Sequence, residues 1–153
     1  MIATPSRPPY IPAERTIPAT LGALAELGGH TRAFVQACGT GDRDATAAGL
    51  ELAVHEVAVN IVRHAYDGNA GWIHIRFLLD HDDLVVTLSD AGRAFRPADA
   101  ADPDLRQANE GGYGLFLVRQ LVDRLTYTRL ADRNHWQLRV GRGGRNLDVQ
   151  PEA

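Results

Sequence analysis

Glu56, Asn60 and His64 follow one another at i, i+4 and i+8 in a stretch, residues 51–66, that holds no Pro or Gly. At about 100° per residue this spacing sets all three on one flank of a helix. A carboxylate and an amide so placed can address one small site. The amide oxygen suits Mg²⁺, a hard cation that keeps several of its waters. The carboxylate can take a proton from a nucleophilic hydroxyl or water. Their flanks set them apart from ordinary surface polarity. Leu50, Val54, Val57 and Ile61 form one apolar stripe, and Leu52, Val59, Val62 and Tyr66 form a second. An exposed amphipathic helix carries one such stripe and a solvated back. Polar groups lying between two stripes line a partly buried pocket, and their burial is costly unless something hydrogen-bonds them. A ligand or a metal ion is a candidate for that partner.

Two further signals stand downstream. Asp90-Ala91-Gly92 ends an apolar segment. An Asp there can accept from a donor such as an adenine amino group, and Gly two residues on lets backbone approach a flat base. The same triplet also serves as a plain strand-ending turn. Gly111-Gly112-Tyr113-Gly114 leads into the apolar run that begins at Leu115. Glycine-rich backbone at a helix start exposes unpaired N–H groups and the positive dipole end, which suits phosphate; a hinge is the simpler alternative. It is not a P-loop, since no Gly-Lys-Ser/Thr follows, and not a dinucleotide fingerprint, since Leu117 stands at the third glycine position. His55-Glu56 lacks the second zinc-binding His, because residue 59 is Val. No Gly-x-Ser-x-Gly marks a hydrolase nucleophile.

Residues 1–12 hold four of the eight prolines and form an arm. Arg15-Thr16-Ile17 is a short first strand, and 21–38 is a helix with Gly28-Gly29 in its middle. Asp42 or Asp44 is placed to N-cap the 51–66 helix, which stops at Asp67-Gly68-Asn69-Ala70-Gly71. Trp72–Leu79 and Leu84–Leu88 alternate as an antiparallel hairpin around Asp80-His81-Asp82-Asp83. Residues 93–110 have no periodicity, and a loop that long is usually functional, often a lid. A helix over 115–124 and a hairpin, 125–130 and 136–140, turning at Asp132-Arg133-Asn134, complete the domain. Residues 13–141 make one domain and 142–153 a tail.

With 153 residues, 44% apolar and 23% charged, the chain can bury a real core. Its net charge of −3 speaks against broad phosphate contacts with nucleic acid. No run of about 18 consecutive apolar residues marks a membrane span, and the start lacks a signal-peptide pattern. The lone Cys38 rules out an internal disulfide. A cytoplasmic location, with no direct nucleic-acid or membrane partner, is the expectation.

The order of the three signals is more specific than any one of them. Glu-x-x-x-Asn on a helix, a hairpin, Asp-x-Gly, then a loop closing in Gly-Gly-Tyr-Gly before a helix resembles the GHKL ATPase superfamily. Within it, Asn60-Ile61-Val62-Arg63-His64-Ala65-Tyr66 and Gly112-Tyr113-Gly114-Leu115-Phe116-Leu117-Val118-Arg119-Gln120-Leu121-Val122-Asp123 look most like the bacterial anti-sigma-factor serine kinases. The likeness covers about residues 13–141. It implies an α+β two-layer sandwich of the Bergerat type, with a mixed, mainly antiparallel sheet, binding ATP and Mg²⁺. By resemblance, Asn60 would hold the metal and Glu56 would be the general base for an attacking serine. Asp90 and Gly92 would take the adenine. Gly111, Gly112, Tyr113, Gly114 and Leu115 would surround the phosphates, with His64 on their flank. The implied partners are a STAS-domain anti-anti-sigma protein, which is phosphorylated, and a sigma factor or other regulator, which is sequestered; a homodimer is also implied. Where many GHKL relatives have a second glycine, this chain has Ala94. A non-catalytic ATP-binding adaptor is the alternative, and retention of Glu56 favours catalysis over it. A histidine-kinase catalytic domain fits less well, because no helical segment is left for a phosphoacceptor domain.

Overall fold

The computed structural model describes residues 13–39, 43–96 and 113–142. Strand β1 (Ala13–Pro18) leads through a 3₁₀ turn (Gly22–Glu26) into helix α1 (Leu27–Cys38). Helix α2 (Arg43–Asn60) continues into a π turn (Ile61–Ala65). Strands β2 (Trp72–Asp80) and β3 (Asp83–Asp90) follow, then helix α3 (Tyr113–Leu121) and strands β4 (Arg124–Leu130) and β5 (Arg133–Gly141). The sheet order is β1-β2-β3-β5-β4, and each of its pairings is antiparallel. The expected α+β sandwich is therefore present. Its sheet is antiparallel throughout the described residues, without the parallel pairing that a mixed sheet would contain.

Alternation builds the sheet's inner face. Ile73, Ile75 and Phe77 of β2, Leu84, Val86 and Leu88 of β3, and Trp136, Leu138 and Val140 of β5 are all buried in one core. His74 and Arg76 lie on the opposite, partly solvated face and face Glu14 of β1 at 3.6 Å. Helices cover the inner face. Leu50, Val54, Val57 and Ile61 of the central helix are at most 1% exposed, as the first apolar stripe requires. The second stripe is weaker than expected at its start, since Leu52 is 40% exposed. Phe34 of α1 meets Phe77 with ring centroids 5.3 Å apart, locking that helix onto the sheet.

Several boundaries differ from the sequence reading, each for a local reason. The first helix is two pieces, with Gly28 in the opening turn of α1, where a Cβ would lie 2.5 Å from the Glu51 carboxylate. Gly39 ends α1 in the left-handed conformation (φ 62°), donating its N–H to Gln36 O. The central helix begins at Arg43, earlier than 51, so Asp44 sits in its first turn and favours the dipole there instead of capping it; Asp42 lies outside the described residues. The combined helix Asp44–Ala65, 22 residues with mean hydropathy 1.3, is by length and composition long and apolar enough to cross a membrane. Half of its most apolar 18-residue window is buried inside this fold. The last hairpin turns at Ala131-Asp132, both at positive φ (49° and 61°), as in a two-residue primed turn. Arg142 donates its N–H to Asp82 O at 2.6 Å, so the ordered chain runs one residue into the expected tail. The arm 1–12, the expected lid 93–110 beyond residue 96, and residues 143–153 lie outside the described residues.

Candidate functional site

The site forms where the central helix loses its α geometry. Tyr66 N–H donates to Ile61 O at 3.2 Å, an i→i+5 bond that widens the last turn. The Ala65 carbonyl in this turn accepts from Arg93 N–H at 2.8 Å. Gly92 lies directly on this carbonyl: a Cβ there would stand 2.5 Å from Ala65 O. Only glycine permits so close an approach. Tyr66 then clamps the same corner. Its hydroxyl donates to Trp72 O at 2.7 Å and accepts from Ala91 N–H at 3.0 Å. Helix end, strand β2 and the Asp90-Ala91-Gly92 turn are thus fixed to one another.

Asp90 itself is fully buried. Its Oδ1 accepts from Gly92 N–H at 2.9 Å and from Asn134 Nδ2 at 2.8 Å. Burial pushes its carboxyl above the usual value, and the bonds from Asn134 and Gly92, with the charges of Arg129 and Arg133, oppose that rise. Its Oδ2 is buried with no partner. Asn134 is the hub behind it. Nδ2 also donates to Arg93 O at 2.8 Å, while Oδ1 accepts from the Tyr127 hydroxyl at 2.5 Å and from Arg129 Nη1 at 2.9 Å. Tyr127 in turn accepts from Phe95 N–H at 2.9 Å, and the rings of Phe95, Tyr127 and Trp136 pack together at 4.7–5.4 Å. The start of the long loop, residues 91–96, is thereby held on the last hairpin.

At the other end of the site, α3 begins at Tyr113 against the central helix. A Cβ on Gly114 would stand 2.8 Å from Glu56 Oε2 and 3.7 Å from Asn60 Nδ2. The first N–H groups of α3 lack intrahelical acceptors, and its dipole is positive at this end. Glu56, Asn60 and His64 are all half-buried, as their position between two stripes requires. Asn60, His64, Ala65, Arg93, Phe95 and Trp136, among others, line a cleft at the C-terminal end of the central helix.

Three buried side-chain atoms lack any partner among the described residues: Asn60 Nδ2, Asp90 Oδ2 and Arg93 Nη1. All three belong to this corner, and Asn60 and Arg93 line the same cleft. Buried polar atoms are nearly always satisfied, so three orphans near one another make this corner a candidate ligand site. One is an acceptor and two are donors; rotation of the Asn60 amide would present its oxygen instead. Among the described residues no group of three or more His, Cys, Asp or Glu could hold a metal ion. A cation here needs oxygens from the ligand itself.

Of the site residues expected from sequence, Glu56, Asn60 and Gly114 meet directly, and His64 shares the cleft with Asn60. Asp90 and Gly92 stand behind it, held to the lining residues Asn134 and Ala65. Leu115 is buried in the core, leaving its backbone N–H as the group it can turn toward a ligand. Gly111, Gly112 and the Tyr113 side chain lie outside the described residues. Asn134, Tyr66 and Arg93 were missed as site residues. A two-residue turn at Ala131-Asp132 would have set Asn134 opposite Asp90, the register the sheet adopts.

Residues 17–140 match the histidine kinase-like ATPase domain. The chain belongs to that family. Membership implies ATP as the nucleotide and agrees with the Bergerat-type fold. The chain is 34% identical over 84 residues to the serine-protein kinase RsbW of Bacillus licheniformis, covering 48% of this chain and 52% of that protein. It is 36% identical over 87 residues to RsbW of Staphylococcus aureus, covering 50% and 54%. The matched region thus spans about half the length of these curated relatives. A structure of the RsbU and RsbW domains of a Mycobacterium tuberculosis protein superposes with TM-score 0.61 at 21% identity, covering 86% of this chain and 32% of that one. The blue-light activated histidine kinase EL346 of Erythrobacter litoralis superposes with TM-score 0.52 at 26% identity, covering 78% and 41%. The family resemblance read from the motifs is therefore supported by sequence and by fold.

Proposed function

We propose that this ATPase-family domain is a protein-serine kinase that phosphorylates a STAS-domain antagonist and, in the antagonist's absence, sequesters a sigma factor or other regulator. The observation that carries the proposal is the set of three orphaned atoms, Asn60 Nδ2, Asp90 Oδ2 and Arg93 Nη1, at the end of the helix that carries Glu56 one turn before Asn60. Asp90 Oδ2 is an acceptor for an exocyclic amino group, with Gly92 leaving room for the ring. Asn60, with its amide oxygen turned into the cleft, would hold Mg²⁺, and Mg²⁺ supplies charge neutralisation on the phosphates. A single protein ligand is enough when the phosphates provide the others. The backbone N–H groups at the start of α3, with Gly114 and the flanking Gly111, Gly112 and Tyr113, would receive phosphate oxygens.

Glu56 stands one turn before Asn60, against Gly114, and suits the role of base. It takes the proton from a serine hydroxyl of the antagonist as that oxygen forms its bond to the γ-phosphorus. The bond from the γ-phosphorus to the β–γ bridging oxygen breaks, and ADP leaves. The curated relatives named serine-protein kinase RsbW support this reading of the chemistry. A cytoplasmic location and a homodimer belong to the same proposal. Incubation with Mg-ATP and candidate STAS-domain proteins tests it. Phosphoserine on one of them is the expected result. ATP binding and regulator capture without transfer to any STAS protein would instead identify a sequestering adaptor.

A further inference from the structure

Arg93 is the one member of the three orphans that no sequence motif accounts for. Its backbone is fixed on both sides: the N–H donates to Ala65 O and the carbonyl accepts from Asn134 Nδ2, each at 2.8 Å. The side chain lines the cleft together with Asn60 and His64, and Nη1 is buried without a partner. Its guanidinium makes no ion pair with a described residue. The neighbouring arginine, Arg129, is by contrast bound to Gly92 O and Asn134 Oδ1. A cation on a pinned backbone, lining a cleft and carrying a buried N–H without a partner, calls for an anion.

We propose that Arg93 is a binding residue for the phosphate chain of the nucleotide, supplied from the loop that follows the base-reading Asp90. This rests on the reading of the cleft as an adenine-nucleotide site. It gives the site two separate anchors: Asp90 and Gly92 recognise the base, and Arg93 with Asn60 recognises the anionic end. Arg93 then sets the preference for ATP and ADP over adenosine. A planar guanidinium donates two parallel bonds to phosphate oxygens, which lysine cannot reproduce.

Calorimetric titration of ATP, ADP and adenosine into the wild type, Arg93→Gln and Arg93→Lys in the presence of Mg²⁺ tests the inference. The expected result is that Arg93→Gln weakens ATP and ADP about ten-fold or more while adenosine affinity stays within two-fold. Arg93→Lys falls between the two for ATP, and carries the test should the glutamine variant fail to fold. Wild-type affinity for ATP in both variants would overturn the role of Arg93 alone. So would an equal loss for adenosine, which would make Arg93 a support of the cleft wall. A wild type that binds no adenine nucleotide would overturn the underlying reading of the site and this inference with it.

Discussion

Asn134 Nδ2 stands 2.8 Å from Asp90 Oδ1 and leaves Asp90 Oδ2 buried and bare. One carboxylate oxygen is thus held by the hub, and the other is the acceptor proposed for the adenine amino group. Removing the hub should affect both. Asn134→Ala deprives Asp90, Tyr127, Arg129 and the Arg93 carbonyl of a shared partner. Leaving such groups unsatisfied costs about 1–3 kcal/mol. A lowered urea midpoint together with weakened ATP binding is expected. A stable variant with unchanged nucleotide affinity would show that the network does not position Asp90.

The two site glycines are close-packed for different reasons, and alanine should separate them. At Gly92 a Cβ would strike the Ala65 backbone carbonyl at 2.5 Å, which cannot swing aside. Gly92→Ala should destabilise by about 1–3 kcal/mol, the usual cost of overpacking. At Gly114 the nearest atom, at 2.8 Å, is the far end of the flexible Glu56 side chain. Gly114→Ala should leave stability unchanged or raise it by up to about 1 kcal/mol, yet displace Glu56 and lower phosphotransfer at least ten-fold. Thermal denaturation beside a transfer assay reads both effects. Equal losses of stability would contradict the contrast.

Asp90 gives the ligand-free protein a pH dependence of definite sign. Burial raises its carboxyl in the folded state above the ordinary value of 3.8. Its contribution to stability is then complete below that value and lost as pH rises through the raised folded value. At neutral pH the buried charge is a liability that Asp90→Asn removes. Urea titrations should show the variant gaining on the wild type as pH increases from acid to neutral, while it binds ATP at least ten-fold more weakly. A parallel pH dependence in the two proteins would contradict the assignment.

Much of this arrangement was legible in the sequence because it rests on local rules. The double stripe around Glu56 and Asn60 predicted half-burial, and strand alternation predicted Ile73, Ile75 and Phe77 in the core. The missed residues depend on non-local geometry. Tyr66 reads as the last member of an apolar stripe, and only the π turn at 61–65 brings its hydroxyl to Trp72 and Ala91. No helix propensity announces that turn. Asn134 follows two residues with turn character and so reads as turn, but Ala131 adopts the left-handed conformation ahead of it and shifts Asn134 into the sheet. Arg93 carries no motif, and the role proposed for it rests on its unsatisfied Nη1 and on the cleft it shares with Asn60.

Asn60 is the sole protein group proposed for the metal, so its removal should uncouple Mg²⁺ from binding. Wild-type affinity for ATP should fall on chelation with EDTA, whereas Asn60→Ala should bind ATP weakly and equally with and without Mg²⁺. Calorimetry in the two conditions reads the difference. A variant whose ATP affinity still responds fully to Mg²⁺ would place the metal on other residues.

The central claim is that Glu56 serves transfer and not binding. The direct measurement pairs ATP calorimetry with γ-phosphate transfer to a STAS-domain partner of the wild type, in wild-type protein and Glu56→Gln. ATP affinities within about three-fold of each other are expected, well short of the ten-fold that 1.4 kcal/mol would give, with loss of phosphoserine in the variant. Undiminished transfer by Glu56→Gln would contradict it.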